Sequence, residues 1–459
     1  MTPAASSAPR PAAVPAPAAA PALADFWSMD EAAREDLLLR GIAAAHTYHF
    51  EHNTAYRNIV APRGVGPWVP PDEMSRLLRT TSQAFKSYID ILGTPFPQDQ
   101  PAEFIDWLAE QVSVDLRVGS RRLHSGYWSL EGLLRAVDHT YAGLGLEMLT
   151  SSGTSGRMTV IPRDRRSTDL AAESFSLSFQ RYLGMTADFT AIFMTRKRTR
   201  VAVPHMAWSG VRTVGLPPRK IQSAAWLPSS PGQIRGRTYR PGWRGAVERH
   251  ISHPLVAALQ SRLVDAQAVE SAISRLIPAG AHEERVLLFG SLTQLHKIAS
   301  FLLEGGRTLT LTPGSLLGTW GGMKETSTET AAEMRQDLGN AFKLATGEAA
   351  PIRDIYGMAE ANWAAMQCSR GSYHLPPWVY AVTLDDQEAL QKGPRSRGML
   401  AFFDPYGGGD FFPAFFRTTD RVTLVRGPLC PCGEPGDYLE EAPVRRLGLP
   451  GDTTRAARP

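Results

Sequence analysis

From residue 25 to about 140 the apolar positions recur at spacings of three and four. In SMDEAAREDLLLRGIAAAHTYHFEHN they follow a Ser/Asp start, and PAEFIDWLAEQVSVDL repeats the signal, so this region is predicted to be helical. After residue 145 the pattern changes. MTVIPR has the length and composition of a short strand. STDLAAESFSLSFQRYL is predicted as a helix, with Asp164 or Ser167 available to cap it. DFTAIFMTR and RVLLFG are apolar strands, LTQLHKIASFLLEGG is a helix that stops at glycines, and TLTLTPG is another strand. Strands alternating with helices imply an α/β fold, a largely parallel sheet covered on both faces. Beyond about residue 378, VYAVTLDD, GMLAFFDPY and FFPAFFRTTDRVTLV are β-rich and separated by Gly and Pro. They predict a smaller β-subdomain closing against the sheet.

The expected division is therefore a disordered Ala/Pro-rich arm over 1–24, a helical region over 25–140, and an α/β core over 141–378. A β-rich subdomain over 379–446 and a frayed tail over 447–459 complete it. The arm lacks side chains to bury, and its prolines and missing basic start argue against a secretory signal. Composition adds only bounds. The 459 residues are 43% apolar and 20% charged, as in an ordinary soluble globular protein. No apolar run reaches the ~18 residues of a membrane span. The net charge of +4 is explained by a solvated surface, with no basic run interleaved with aromatics to suggest nucleic acid. Three cysteines do not make a disulfide framework and fit a reducing cytoplasm.

One stretch departs from core and surface patterning. MLTSSGTSGRMTVIPRD, residues 148–164, sets Gly153 and Gly156 among the hydroxyls of Thr150, Ser151, Ser152, Thr154, Ser155 and Thr159. Arg157 and Met158 stand where a Walker loop would have Lys and Ser/Thr, and a strand rather than a helix is predicted to follow. Read from its residues, the loop turns between two strands. It is either a cradle of amides and hydroxyls for phosphate oxygens or a Ser/Gly-rich surface turn.

Three segments in order carry a resemblance. TSSGTSGRMTVI resembles the phosphate-gripping loop of the adenylate-forming (acyl-CoA synthetase and luciferase-like) superfamily. DIYGMAE at 354–360 resembles that superfamily's Tyr-Gly-x-Thr-Glu motif, with Ala359 in place of the usual Thr. FFRTTD at 415–420 resembles its Tyr-Arg-Thr-Gly-Asp motif. The resemblance implies that Ser151, Ser152, Gly153, Thr154, Ser155 and Gly156 hold phosphates and that Tyr356 and Gly357 line the adenine pocket. It also implies that Glu360 helps hold Mg²⁺ and that Asp420 accepts hydrogen bonds from the ribose. LGTWGGMKE at 317–325 narrows the likeness to bacterial acyl-protein synthetases, with a weaker similarity to phenylacetate-CoA ligase-like enzymes. Gly321 and Gly322 would then let the backbone approach the adenine. Lys324 would face a phosphate or a carboxylate, or else is a solvated lysine after a turn.

The cysteines fall into two close groups, Cys368 with His374 in CSRGSYH and Cys430 with Cys432 in CPCG. Cys₃His is a frequent ligand set for structural zinc, and the alternative is that the cysteines are small buried apolar residues. Similar clusters in relatives of the phenylacetate-CoA ligase type imply the zinc site, a closed structural staple without a direct catalytic role.

The resemblance implies ATP-dependent activation of a fatty or aryl carboxylic acid to an acyl-adenylate. The C-terminal lid of the superfamily is expected to be missing, since residues 433–459 contain no lysine, although Arg445 and Arg446 stand near the expected hinge. No cysteine follows Cys432 to carry an acyl group. The expected acceptor is therefore a thiol or amine on a partner, such as a carrier protein or a reductase subunit. The other reading is a degenerate adenylating fold that serves as a non-catalytic nucleotide-binding scaffold in a biosynthetic complex.

Overall fold

The computed structural model describes residues 21–440 and 445–446, apart from 118–122, 124–125, 152–157, 198, 226–239, 241, 253, 256–264, 322–329, 392 and 428. The N-terminal region forms α1 (Glu31–His52), α2 (Thr54–Val60), α3 (Tyr88–Leu92), α4 (Pro101–Gln111) and α5 (Leu130–Thr140). Asp30 caps α1 by accepting from the Ala33 amide at 2.8 Å. The 3₁₀ turn Leu23–Trp27 reaches back across the expected arm boundary at residue 24. Leu23 and Phe26 are fully buried, and the Phe26 ring meets Tyr406 edge-on.

The hydroxyl-rich stretch opens a hairpin. β1 (Glu147–Thr150) pairs antiparallel with β2 (Val160–Arg163), so the loop does turn between two strands. α6 (Arg165–Leu183) follows at once, and Asp164 supplies its cap. The carboxylate accepts from the Ser167 amide at 2.6 Å, while the Ser167 hydroxyl accepts from the Asp164 amide at 3.1 Å and donates to the Asp164 carbonyl at 3.0 Å.

The main sheet begins with β3 (Thr190–Phe193), β4 (Ile221–Ser223) and β5 (Val286–Gly290), joined by β7 (Leu316–Trp320) and β9 (Ile352–Gly357). These five run parallel in the order β4-β3-β5-β7-β9. Between them run α7 (Ala202–Thr213), α8 (Asp265–Ala281), α9 (Leu292–Glu304) and α10 (Ala331–Ala341). Ile192 of β3 and Leu288 of β5 pack with Ile273, Leu276, Leu295 and Leu338 of α8, α9 and α10. Their neighbours Ala191, Phe193, Leu287 and Phe289 pack with Phe175, Phe179 and Met206 of α6 and α7. Successive residues face opposite sides of a strand, so helices cover both faces of this part. That is why RVLLFG is unbroken in its apolar run. TLTLTPG supplies β6 (Leu309–Leu311), which leaves the main sheet and pairs with β8 (Phe342–Leu344).

The β-rich region continues the same sheet. It contains β10 (Ala364–Gln367), β11 (Tyr373–His374), β12 (Tyr380–Leu384), β13 (Leu390–Gln391), β14 (Arg395–Asp404), β15 (Ala414–Val425), β16 (Tyr438–Leu439) and β17 (Arg445–Arg446). From β9 the order runs β10-β11-β16-β15-β14-β12-β13, all antiparallel, with β17 also on β15. Hydrogen bonds thus cross without a break from the expected core to the expected β-subdomain. α1 and α2 cover one face of the antiparallel part, with Ile42, Ala45, Tyr56 and Val60 against Val382, Phe403 and Phe415.

Candidate functional site

Parallel strands present their C-terminal ends at one edge, where open α/β sheets bind ligands. At that edge Gly321 directly follows β7, with a φ of +76° that suits glycine, and β9 ends in Gly357. A Cβ on Gly357 would lie 3.3 Å from Val203 of α7 and 3.4 Å from Ala364. The hairpin is held at the same edge, because Thr150 N–H donates to the Arg200 carbonyl at 2.7 Å, just beyond β3. Arg200 in turn donates to Glu131 at 2.9 Å, to Asp138 at 2.6 Å and to the Met148 carbonyl at 2.9 Å.

Two pairings assemble the motif residues. The Tyr356 hydroxyl at the end of β9 donates to Asp420 Oδ2 of β15 at 2.7 Å, with Asp420 only 6% exposed. The Thr159 hydroxyl donates to Glu360 Oε1 at 3.2 Å, with both residues buried. Thr159 belongs to the loop base, where its amide donates to the Ser151 hydroxyl at 3.0 Å and its carbonyl accepts from the Ser151 amide at 3.1 Å. The two ends of the loop are thus cross-linked to each other and to Glu360. Ser152, Gly153, Thr154, Ser155 and Gly156, like Gly322 and Lys324, lie outside the described residues. The Glu360 carboxylate offers hard oxygen donors beside the loop, the donor type that suits Mg²⁺.

A guanidinium braces the Glu360 turn. Arg163, the last residue of β2, is fully buried and donates to the carbonyls of Ala359 at 2.7 Å, Ala361 at 3.3 Å and Gly407 at 2.9 Å. Its Cζ lies 5.3 Å from the centre of the Phe412 ring. Burial pushes its pKa down to about 10, which leaves it charged at neutral pH. Asp404 lies beside it and accepts from the amides of Tyr406 at 3.1 Å and Gly407 at 2.7 Å; burial pushes its carboxyl up to about 6. The run Gly407-Gly408-Gly409 is confined here. A Cβ on Gly408 would fall 1.6 Å from the Phe412 carbonyl, and one on Gly409 would fall 2.4 Å from Asp164.

β9 also carries a buried carboxylate. Asp354 Oδ1 accepts from the Thr319 hydroxyl at 2.5 Å, and Oδ2 accepts from the Tyr373 hydroxyl at 3.0 Å. Its amide donates to Gln367 Oε1 at 3.1 Å. Burial raises its pKa above the ordinary carboxylate range, against the pull of those hydroxyls.

The Cys/His groups meet. The ligand atoms of Cys368, His374, Cys430 and Cys432 all lie within 4.8 Å of one another. Cys368 Sγ and Cys430 Sγ are 3.9 Å apart, and His374 Nε2 is 3.2 Å from Cys432 Sγ. Metal–sulfur bonds of about 2.3 Å at tetrahedral angles give sulfur–sulfur edges of roughly 3.8 Å, which the Cys368–Cys430 pair matches, and three thiols with one imidazole are a donor set that suits zinc. The Arg370 amide points at Cys368 Sγ from 3.4 Å. Burial holds His374 below its ordinary pKa, in the neutral form that binds metals. Its ring stacks on Tyr182 of α6, with centroids 4.9 Å apart.

Part of this geometry lies in a segment with known relatives. Residues 262–446 match the family model described as "Acyl-protein synthetase, LuxE". The chain resembles the LuxE acyl-protein synthetases. Among curated proteins, it is 30% identical over 131 residues to a long-chain-fatty-acid–luciferin-component ligase of Aliivibrio fischeri, covering 28% of this chain and 33% of that protein. It is 23% identical over 178 residues to the Vibrio harveyi protein of the same name, covering 38% and 45%. The alignments thus span less than half the length of these LuxE-type relatives. Among solved structures, an open conformation of 2-hydroxyisobutyryl-CoA ligase in complex with 2-HIB-AMP and CoA aligns with a TM-score of 0.53 and 13% identity. It covers 91% of this chain and 76% of that one. The post-adenylation state of the same ligase, with 2-HIB-AMP, gives 0.51 over 90% and 68%. At such identity the likeness is one of fold, and the fold is that of adenylate-forming ligases.

The LuxE-like match contains Tyr356, Glu360, Asp420 and all four Cys/His residues, whereas the hydroxyl loop precedes it. Sequence reading missed Arg163, Asp354 and Asp404. A lone arginine closing the apolar run Val-Ile-Pro was the signal for the first. Asp354 stands two residues before Tyr356, hence on the same face of its strand, which was the signal for the second.

Proposed function

We propose that this chain activates a carboxylic acid with ATP, forming an acyl-adenylate and pyrophosphate, and passes the acyl group to a thiol or amine on a partner protein. The observation that carries this reading is the double pairing of Tyr356 with Asp420 and Thr159 with Glu360 at the strand-end edge of an adenylate-forming fold. A carboxylate is a poor electrophile, and the reaction needs it held in line with the α-phosphorus while charge builds on the leaving pyrophosphate. Asp420, held by Tyr356, is the acceptor for the ribose hydroxyls, and Gly321, Gly322 and Gly357 leave room for the adenine. The loop from Ser151 to Gly156 grips the phosphates, with Lys324 as an additional cation. Glu360 would hold Mg²⁺, which supplies charge neutralisation when bound. Thr159 and Arg163 fix the orientation of that carboxylate.

The acid is fatty or aryl. The names of the curated relatives favour a long-chain fatty acid, and Val203 of α7 lies beside Gly357. The Cys/His cluster would bind one structural zinc. With all three cysteines gathered there, a cytoplasmic setting fits, and no thiol of the sequence is left to carry the acyl group. Among the described residues no helix is long and apolar enough to cross a membrane.

ATP–pyrophosphate exchange with a panel of fatty and aryl acids tests the first half. Acid-dependent exchange is expected, and its absence across the panel would favour a non-catalytic scaffold. Incubation with ATP and radiolabelled acid, without a partner, tests the second half. Label that survives denaturation and is released by neutral hydroxylamine would place a thioester on this chain and overturn the partner assignment.

A further inference from the structure

The polar network around Asp354 links two features that the chain keeps in different strands. Each of its members stands next to a residue of a candidate site. Thr319 is two positions before Gly321, and Asp354 is two before Tyr356. Gln367 directly precedes Cys368, and Tyr373 directly precedes His374. The Asp354 carboxylate takes the Thr319 hydroxyl on one oxygen at 2.5 Å and the Tyr373 hydroxyl on the other at 3.0 Å. Gln367 accepts from the Asp354 amide at 3.1 Å and donates to the Gly371 carbonyl at 3.3 Å. Gly371 closes the Cys368 turn, where its amide donates to the Cys368 carbonyl at 3.1 Å.

The strands make this linkage directional. Residues two apart share one face of a strand, so Asp354 and Tyr356 project the same way from β9. Thr319 and Asp354 stand opposite each other in the parallel register of β7 and β9. A shift of Tyr373 or Gln367 is therefore felt at Asp354, and from there at the ends of both strands that frame the nucleotide. The carboxylate is buried, so losing either hydroxyl leaves an oxygen without the donor it faces, a larger perturbation than loss of a surface hydrogen bond.

We propose that Asp354 is a positioning residue through which the Cys/His cluster sets the geometry, and hence the affinity, of the nucleotide site at Gly321, Tyr356 and Asp420. The inference rests on the reading of that site as the ATP site and of the cluster as a zinc site. It assigns the cluster a role beyond stapling two strands. Coupling of this kind is reciprocal, so zinc affinity should rise when nucleotide is bound by the same factor as nucleotide affinity rises with zinc.

The test is a binding cycle read by calorimetry with ATP and Mg²⁺, on zinc-loaded and chelator-stripped protein, for wild type, Tyr373→Phe and Thr319→Val. Zinc content and thermal unfolding are recorded for every sample. In wild type, removal of zinc should weaken ATP binding at least fivefold. Tyr373→Phe should keep its zinc, weaken ATP binding by a similar factor, and show less than a twofold further loss when stripped. Equal ATP affinity with and without zinc in folded wild type would overturn the proposal. If stripped protein unfolds, zinc-loaded Tyr373→Phe decides: unchanged ATP affinity in that folded variant overturns the coupling, and a loss of fivefold with zinc retained supports it. Failure of zinc-loaded wild type to bind ATP at all would instead overturn the ATP reading, and retention of no metal would overturn the zinc reading, each taking this inference with it.

Discussion

Asp420 is a buried carboxylate whose Oδ2 already accepts from Tyr356, and its proposed task is to accept from the ribose as well. Hydrogen bonds to a charged group contribute about 1.5–3 kcal/mol each, so Asp420→Ala should weaken ATP binding by roughly tenfold or more. Unchanged affinity in folded variant protein would reject the ribose assignment. Asp404 makes a prediction of a different kind. Its folded pKa of about 6 lies above the ~3.9 of an unfolded chain, so the folded state binds the additional proton between those values. Stability from this group is present below about pH 4 and is lost as pH rises through about 6. Thermal unfolding of wild type and Asp404→Asn across pH 4 to 7 should therefore show their difference moving in the variant's favour with rising pH. A difference that is flat, or that moves the other way, would show that Asp404 ionises normally despite its burial.

At the scale of elements, β2 joins loop, brace and helix within six residues: Thr159 holds Glu360, Arg163 holds its flanks, and Asp164 caps α6. Arg163→Met would remove the guanidinium from the buried Ala359 and Ala361 carbonyls, leave Gly407 with Asn362 alone, and leave Asp404 without its counter-charge. A loss of about 3–5 kcal/mol is expected, measurable by denaturant unfolding. A loss below about 1 kcal/mol would mean that the Glu360 turn is held elsewhere. The elements themselves were readable: the hairpin from its Ser/Gly run between strand patterns, the α6 cap from Asp164 and Ser167, and the parallel strands from unbroken apolar runs. The Cys/His meeting was readable as two close groups in need of each other. What joins elements was not. Arg163 acts on carbonyls 196 to 244 positions away, and no local pattern encodes a carbonyl acceptor. Likewise TLTLTPG has the composition of a strand, but nothing in it says that its partner is β8 rather than the main sheet.

For the whole molecule, the Cys/His cluster lies where β10, β11 and β16 meet, packed against the last turn of α6 through Tyr182 and through the Arg181–Glu434 ion pair at 2.8 Å. A zinc there would hold together the part of the sheet on which both proposed pairings depend. Protein purified without a metal-affinity tag or chelator should contain about one zinc per chain, and stripping it should lower the unfolding temperature by several degrees. Less than a tenth of an equivalent would reject the site.

The N-terminal helices also depend on the far end of the sheet. Asn53 donates to the Phe411 carbonyl across 358 positions, and Arg79 to Pro413 across 334, at 3.3 and 2.7 Å. A ribosome adding about 5–20 residues each second needs on the order of twenty seconds to a minute to make the intervening chain. Through that interval Ile42, Tyr56, Val60 and Phe85 have emerged without the strands that cover them. The helical region is thus synthesised well before the strands that cover it and is among the last to finish folding, and nascent chains arrested before β14 and β15 should be the ones that engage chaperones.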